Sequence, residues 1–120
     1  IRLMEENRKA PEAVTALAEE IRAVLDEKKA MDVSVLHIGD HTVLADYFVI
    51  ATGTSNTHIR SLAGEVEFRI REKLGIDPAR IEGVDNNAWV LMDYHSVIVH
   101  IFTREAREFY KLDKLWDRAQ

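Results

Sequence analysis

One run of eleven residues, Asp46-Tyr47-Phe48-Val49-Ile50-Ala51-Thr52-Gly53-Thr54-Ser55-Asn56, contains a buried strand, a polar loop and the start of a helix. Residues 46–52 are apolar on both faces, which is typical of a strand that is covered on both sides of its sheet. Gly53 permits a sharp bend, and the hydroxyl and amide side chains after it can cap the free N–H groups of a helix. A strand, a polar loop and a helix in this order predict an α/β domain.

Periodicity predicts the remaining elements of the chain. We expect helices at 11–29 and 56–74, strands at 32–38, 80–84, 88–94 and 97–103, and one or two short helices over 104–118. The short loop between the first two strands predicts that they pair antiparallel, whereas the helix between the strands at 46–52 and 80–84 predicts that these two run parallel. The resulting fold class is α/β with an α+β-like arrangement, a single mixed, roughly five-stranded sheet flanked by helices.

Length and composition predict one soluble domain. The 120 residues fit a single domain over 1–120, in which we expect residues 1–10 to form a flexible N-terminal extension. The polar N-terminus does not read as a secretory signal, and no apolar run reaches the roughly 20 residues that span a bilayer. The chain has no cysteine, which suits a reducing compartment, so we expect a cytoplasmic protein that does not bind membranes.

The net charge of −5 argues against non-specific binding to nucleic acid, which requires a basic surface. An acidic surface is instead well matched to a basic protein partner.

The residues give little support for catalysis or for a cofactor. No histidine spacing matches a zinc motif, and we predict no metal site. The Gly53–Asn56 loop could receive a phosphate at a helix N-terminus, but it has one glycine and no phosphate-binding motif. Asp46, Glu82 and Asp93 are isolated acids and form no magnesium pair. A metal-dependent nucleotidyl or phosphoryl transferase that uses this loop and Asp46 stays open as the alternative function.

The strand at 88–94 carries a candidate protein-binding surface. Alternation places Trp89, Leu91 and Asp93 on one face and Val90, Met92 and Tyr94 on the other. A Trp–Leu patch bordered by Asp93 and Glu82 is typical of a binding hot spot. Two further interpretations stay open, namely that a helix covers this face or that the patch pairs with a second copy of the chain.

Several segments together resemble the ribosomal silencing factors, also called the Iojap family. They are residues 45–56, Glu82-Gly83, Trp89-Val90-Leu91-Met92-Asp93-Tyr94, Val97-Ile98-Val99-His100-Ile101-Phe102, Arg107-Glu108-Phe109-Tyr110-Lys111-Leu112 and Leu115-Trp116. They occur in the family's order and spacing, and the resemblance covers roughly residues 12–118. The chain departs from common family usage at His95-Ser96, where Gly-Asp is frequent, and at Thr103-Arg104, where His-Pro is frequent; both are turn or boundary positions.

The resemblance implies a fold similar to the nucleotidyltransferases but without their metal-binding acids, and a protein that is not an enzyme. It implies binding to protein fourteen of the large ribosomal subunit, on the face that meets the small subunit. Bound there, the protein would block subunit joining, reduce translation when nutrients are short and contribute to large-subunit maturation. The implied partner-binding residues are Trp89, Leu91, Asp93, Glu82 and Tyr94, with no direct readout of nucleic acid. A homodimer in the free state is compatible with this function.

Overall fold

The chain folds into a mixed sheet of five strands with helices on both faces. The structure is a computed structural model that describes residues 11–39, 44–85 and 88–112. In chain order the elements are α1 (Glu12–Glu27), β1 (Met31–His37), β2 (Tyr47–Gly53), α2 (Asn56–Leu74), β3 (Arg80–Glu82), β4 (Trp89–Asp93), β5 (Val97–Thr103) and α3 (Arg104–Tyr110). The predicted fold class and order of elements are therefore confirmed. The predicted extension at 1–10, His41 and the predicted helical residues after 112 lie outside the described residues.

The strands lie in the order β1-β2-β5-β4-β3. The predicted antiparallel pairing of β1 with β2 is confirmed. β3–β4 and β4–β5 are also antiparallel pairs, and β2 pairs parallel with β5. β3 runs in the same direction as β2, as predicted, but β5 and β4 lie between the two strands. The central strand of the sheet is β5, which lies buried over most of its length.

The main core lies between one face of the sheet and the helices α1 and α2. Alternate residues of the three inner strands contribute to it, and the fully buried strand residues are Val49, Ala51, Val90, Met92, Val97, Val99 and Ile101. On the solvent side, Glu20 pairs with Lys73 at 3.3 Å and Glu27 pairs with Arg69 at 2.8 Å. Because the partners of α1 occur in reverse order along α2, the two helices run antiparallel.

The loop between β2 and α2 is shaped by close packing. A Cβ atom on Gly53 would lie 2.6 Å from Cγ2 of Ile59, so only glycine fits between the strand end and the first turn of the helix. Ser55 is the N-cap, and its Oγ accepts a hydrogen bond from the backbone N–H of His58 at 3.1 Å. Gly75 ends α2 with φ at 69°, the left-handed conformation expected for a C-terminal cap.

The short helix α3 packs on the other face of the sheet, where Arg107 anchors it. The Arg107 guanidinium donates hydrogen bonds to the Asp32 carbonyl oxygen, to Oγ1 of Thr52 at 3.0 Å and to Oγ of Ser34 at 3.3 Å. Asp32 lies where the register of β1 against β2 shifts, and its φ is 49°. Arg107 therefore links α3 to both strands at this irregular point.

None of the helices in the described ranges is long and apolar enough to cross a membrane.

Two glycine substitutions test this packing. We expect Gly53→Ala to lower the free energy of unfolding by roughly 1–3 kcal/mol, because the added methyl overlaps Ile59. The matched control is Gly64→Ala, whose Cβ meets nothing within 4 Å on the exposed side of α2. This control should raise stability by about 1 kcal/mol, the usual gain from alanine over glycine inside a helix. Urea denaturation measures both, and equal effects of the two substitutions would contradict the packing argument.

Candidate functional site

Strand β4 presents its two sets of side chains to different environments. Val90 and Met92 are fully buried under α1 and α2, whereas Trp89, Leu91 and Asp93 lie half-buried on the opposite face. The structure thus places the Trp–Leu pair on the face that the two long helices leave uncovered.

Strand register brings charged residues of β3 to the same face. Glu82 lies opposite Leu91, and Arg80 lies opposite Asp93. We call the set Arg80, Glu82, Trp89, Leu91 and Asp93 the Trp89 surface. A groove of about 210 Å³ is lined by Glu82, Gly83, Trp89 and Leu91. A second groove of about 380 Å³ lies on the other side of Leu91 and has Phe48 and Ile98 among its lining residues. The Trp89 surface is therefore concave on both sides of Leu91.

Tyr94 does not join this surface. Its side chain is 5% exposed and belongs to the core under α1 and α2, on the side of the sheet away from Trp89. Burial raises the pKa of the Tyr94 hydroxyl, in keeping with this position. The expectation that Tyr94 contacts a partner together with Trp89 therefore does not fit the structure, because successive strand residues point to opposite faces.

The two acids of the Trp89 surface are not equally available. One carboxylate oxygen of Asp93 accepts a hydrogen bond from the backbone N–H of His95 at 2.7 Å, and the other lies 3.5 Å from Nε of Arg80. The Asp93 side chain is only 17% exposed, whereas Glu82 is 55% exposed and lies 3.0 Å from the same Nε. Asp93 therefore holds the β4–β5 turn, and Glu82 is the more accessible carboxylate.

Trp89 is held by neighbours on β5 and α3. Its indole Nε1 donates a hydrogen bond to Nδ1 of His100 at 3.1 Å. The centroid of the indole ring also lies 4.9 Å from that of the Phe102 ring and 4.8 Å from that of the Tyr110 ring. α3 therefore covers one side of Trp89 through Tyr110, and the indole remains half-buried rather than enclosed.

Exposed apolar side chains extend the Trp89 surface. Leu44 is 83% exposed and lines the larger groove. On α3, Phe109 is 77% exposed and packs edge-on against Tyr110, which is itself 51% exposed. These side chains widen the apolar area around Trp89 and Leu91, and exposed patches of this kind mark binding sites.

Sequence reasoning missed Arg80 and His100 as members of this site, although the signals for both were present. Arg80 is two residues from Glu82 on one strand, so the two side chains share a face. The two-residue turn after Tyr94 sets the β4–β5 register, and counting outward from it places His100 opposite Leu91. His100 is 4% exposed and accepts a hydrogen bond from the Trp89 indole.

Within residues 44–85, the loop before α2 and Asp46 are not brought together in the way that the alternative transferase site requires. The Thr54 N–H donates to Nδ1 of His58 at 2.9 Å, and Ser55 caps the His58 N–H, so these donors are already used within the loop. Asp46 precedes β2 whereas Gly53 ends it, which separates them by about 23 Å along the strand. Over residues 11–39, 44–85 and 88–112, no group of three or more His, Asp or Glu side chains could hold a metal ion.

Comparison with known proteins matches residues 10–120 to a family model described as RsfS, ribosomal silencing factor during starvation. The chain is 37% identical over 97 residues to the ribosomal silencing factor RsfS of Bacillus subtilis, covering 81% of each protein. It is 34% identical over 96 residues to the mouse protein named mitochondrial assembly of ribosomal large subunit protein 1, covering 78% of this chain and 42% of the mouse protein.

Solved structures agree with this match. A crystal structure of a Chromobacterium violaceum protein has a TM-score of 0.78 and 31% identity, and the likeness covers 88% of this chain and 85% of that one. A Bacillus halodurans structure has a TM-score of 0.71 and 32% identity, covering 88% and 95%.

The buried histidine predicts a specific dependence of stability on pH. Burial lowers the pKa of His100 from 6.5 to about 4, so the folded protein binds this proton less readily than the unfolded chain. Its contribution is fully present above pH 6.5 and is lost as the pH falls towards 4. At about 1.4 kcal/mol per pKa unit, we expect a loss of roughly 3 kcal/mol over this window.

Urea denaturation between pH 4 and 8 measures this loss against a His100→Asn control, whose side chain does not titrate. The remaining carboxylates titrate in both proteins, so the difference between them isolates His100. Parallel stability curves would contradict the assignment.

Proposed function

Because the chain belongs to the family of ribosomal silencing factors, we propose that it binds the large ribosomal subunit and sterically blocks joining with the small subunit. The proposed contact is protein fourteen of the large subunit, on the face that meets the small subunit. Blocking subunit joining would repress translation, notably when nutrients are short. A contribution to large-subunit maturation accords with the name of the mouse relative, a protein of ribosomal large-subunit assembly.

The observation that carries this proposal is the Trp89 surface. Trp89 and Leu91 form an apolar centre on the face that α1 and α2 leave open, and Glu82 provides an accessible carboxylate at its edge. Interfaces characteristically combine a buried aromatic anchor with a polar rim. The net charge of −5 favours a basic partner, and ribosomal proteins are generally basic.

The proposed mechanism requires no chemistry, and we infer that the protein is not an enzyme. A bound domain occupies space that the small subunit needs, and release of the domain restores joining. A cytoplasmic location is part of this proposal, and the similarity to the silencing factor of the bacterium Bacillus subtilis supports it. In the free protein, the same apolar surface could pair two copies, and a homodimer that opens on ribosome binding fits the proposal.

Co-sedimentation with purified ribosomal particles tests the proposed function. The protein should pellet with large subunits but not with small subunits, and its addition should reduce the fraction of joined particles. Failure to bind large subunits would refute the proposal, and so would binding without any effect on joining.

Truncation of the anchor gives the first mutational prediction. We expect Trp89→Ala to weaken large-subunit binding by roughly 2–4 kcal/mol, or about 30- to 1000-fold in Kd. The control is Phe68→Ala, which removes an aromatic side chain that is 60% exposed on α2. Both variants should be folded by circular dichroism at the binding temperature, although Trp89→Ala should melt earlier because Trp89 packs on Phe102 and Tyr110. Equal affinities for the two variants would remove Trp89 from the interface.

Charge reversal tests the rim of the Trp89 surface. We expect Glu82→Lys to weaken binding roughly 3- to 10-fold at low ionic strength and to reduce its salt dependence. Glu72→Lys, on the exposed side of α2, makes the same change in net charge away from the site. Asp93→Asn is the informative change at the second acid, because the amide oxygen can still accept from the His95 N–H. If the Glu82→Lys and Glu72→Lys variants bind the large subunit with equal affinity, Glu82 makes no specific charge contact with the partner.

A further inference from the structure

We propose that His100 is a positioning residue, which fixes the indole of Trp89 in the orientation that a partner binds. This inference rests on the proposed function, because it assigns a role to His100 within the same interface. His100 itself is 4% exposed, so it acts through Trp89 rather than by touching the partner.

The strand register places the two residues side by side. Trp89 lies opposite Phe102 and Leu91 lies opposite His100 in the β4–β5 hairpin, so Trp89 and His100 are diagonal neighbours on one face. Nε1 of the indole donates to Nδ1 of the imidazole at 3.1 Å. This hydrogen bond selects one orientation of the indole about its side-chain torsions.

Aromatic rings hold the imidazole itself. The centroid of the Phe48 ring lies 4.6 Å from that of the imidazole, with an interplanar angle of 63°. The centroid of the Phe102 ring lies 6.1 Å away, and the two rings are nearly parallel. Because packed neighbours fix the acceptor, its hydrogen bond transmits that order to the half-buried indole. The exposed edge of Trp89 is thereby held in one orientation by the buried His100.

The choice of histidine at this position supports a role beyond packing. An imidazole that accepts at Nδ1 carries its proton on Nε2 when neutral, and burial lowers its pKa so that it is neutral at pH 7. Nε2 is buried and has no hydrogen-bond partner within the described residues. An unpaired buried N–H is destabilising, and an apolar side chain would avoid it. The imidazole offsets this cost by accepting the hydrogen bond from Trp89, which an apolar side chain could not do.

The contact also defines the chemistry of the partner's pocket. The indole N–H is the only polar group of the tryptophan side chain, and in this protein it already donates a hydrogen bond to His100. A partner can therefore bury the exposed part of Trp89 in a purely apolar pocket without leaving a donor unpaired. Pre-ordering also removes part of the entropy cost of immobilising the side chain on binding.

Two substitutions separate positioning from packing. His100→Phe keeps a planar ring but removes the acceptor, whereas His100→Asn can place an amide oxygen near the position of Nδ1. In the full chain, the indole N–H signal of Trp89 is followed by ¹⁵N nuclear magnetic resonance and assigned with a Trp116→Phe sample. We expect His100→Phe to shift this signal upfield, to speed its exchange with solvent and to weaken large-subunit binding roughly 10-fold, with most of the affinity retained in His100→Asn.

The possible failures are distinguishable. An unchanged indole signal in His100→Phe, or a shifted signal with unchanged affinity, would overturn the positioning role. Failure of the wild-type protein to bind large subunits would instead refute the proposed function. If His100→Phe does not fold, benzothienylalanine at position 89 removes the N–H and keeps the ring size. Wild-type affinity for this protein would overturn the inference, and a loss of affinity similar to that expected for His100→Phe would support it.

Discussion

The parallel pairing of β2 with β5 is the constraint on which the rest of the structure depends. The two strands are far apart in sequence, and their register runs without interruption from Tyr47 opposite Val97 to Gly53 opposite Thr103. Because both strands are apolar on both faces, each face of the sheet requires cover. Two long helices cover one face, whereas the short α3 is the one helix of the described ranges that packs on the other. The unequal cover leaves β4 with one buried side and one accessible side.

Much of this architecture could be predicted from local patterns. The bounds of α2 follow from the Ser55 cap and Gly75, and the alternation of β4 correctly separated Val90 and Met92 from Trp89 and Leu91. The strand order could not be predicted, because periodicity identifies strands but not their neighbours. β2 and β5 are both apolar on both faces and each lies between two other strands, so their apolar character predicts an interior position for both but does not predict which of them is central.

The same distinction applies to the candidate site. Alternation indicates which side chains share a face, but it does not indicate which face the helices cover. It already separates Tyr94 from Trp89; Tyr94 was included among the partner-binding residues only through the family resemblance, and it lies in the core. The difference in exposure and hydrogen bonding between Asp93 and Glu82 also depends on tertiary geometry, which sequence spacing does not reveal. Both carboxylates lie near Nε of Arg80, but Asp93 also accepts from the His95 N–H and is only 17% exposed, whereas Glu82 is 55% exposed. The centre of the surface therefore favours a partner through shape and apolar contact, and Glu82 adds the accessible charge.

The edges of the sheet have a consequence for how this protein meets other molecules. β3 has only three residues, of which two are charged, and β1 changes register near Asp32, where Arg107 occupies a backbone carbonyl oxygen. Short, charged or irregular edges are poor templates for adding a strand from another chain. Continuation of the sheet from one molecule into the next is thereby disfavoured at both ends. The edges of the sheet thus protect a protein with an exposed apolar face from fibrous aggregation by strand addition.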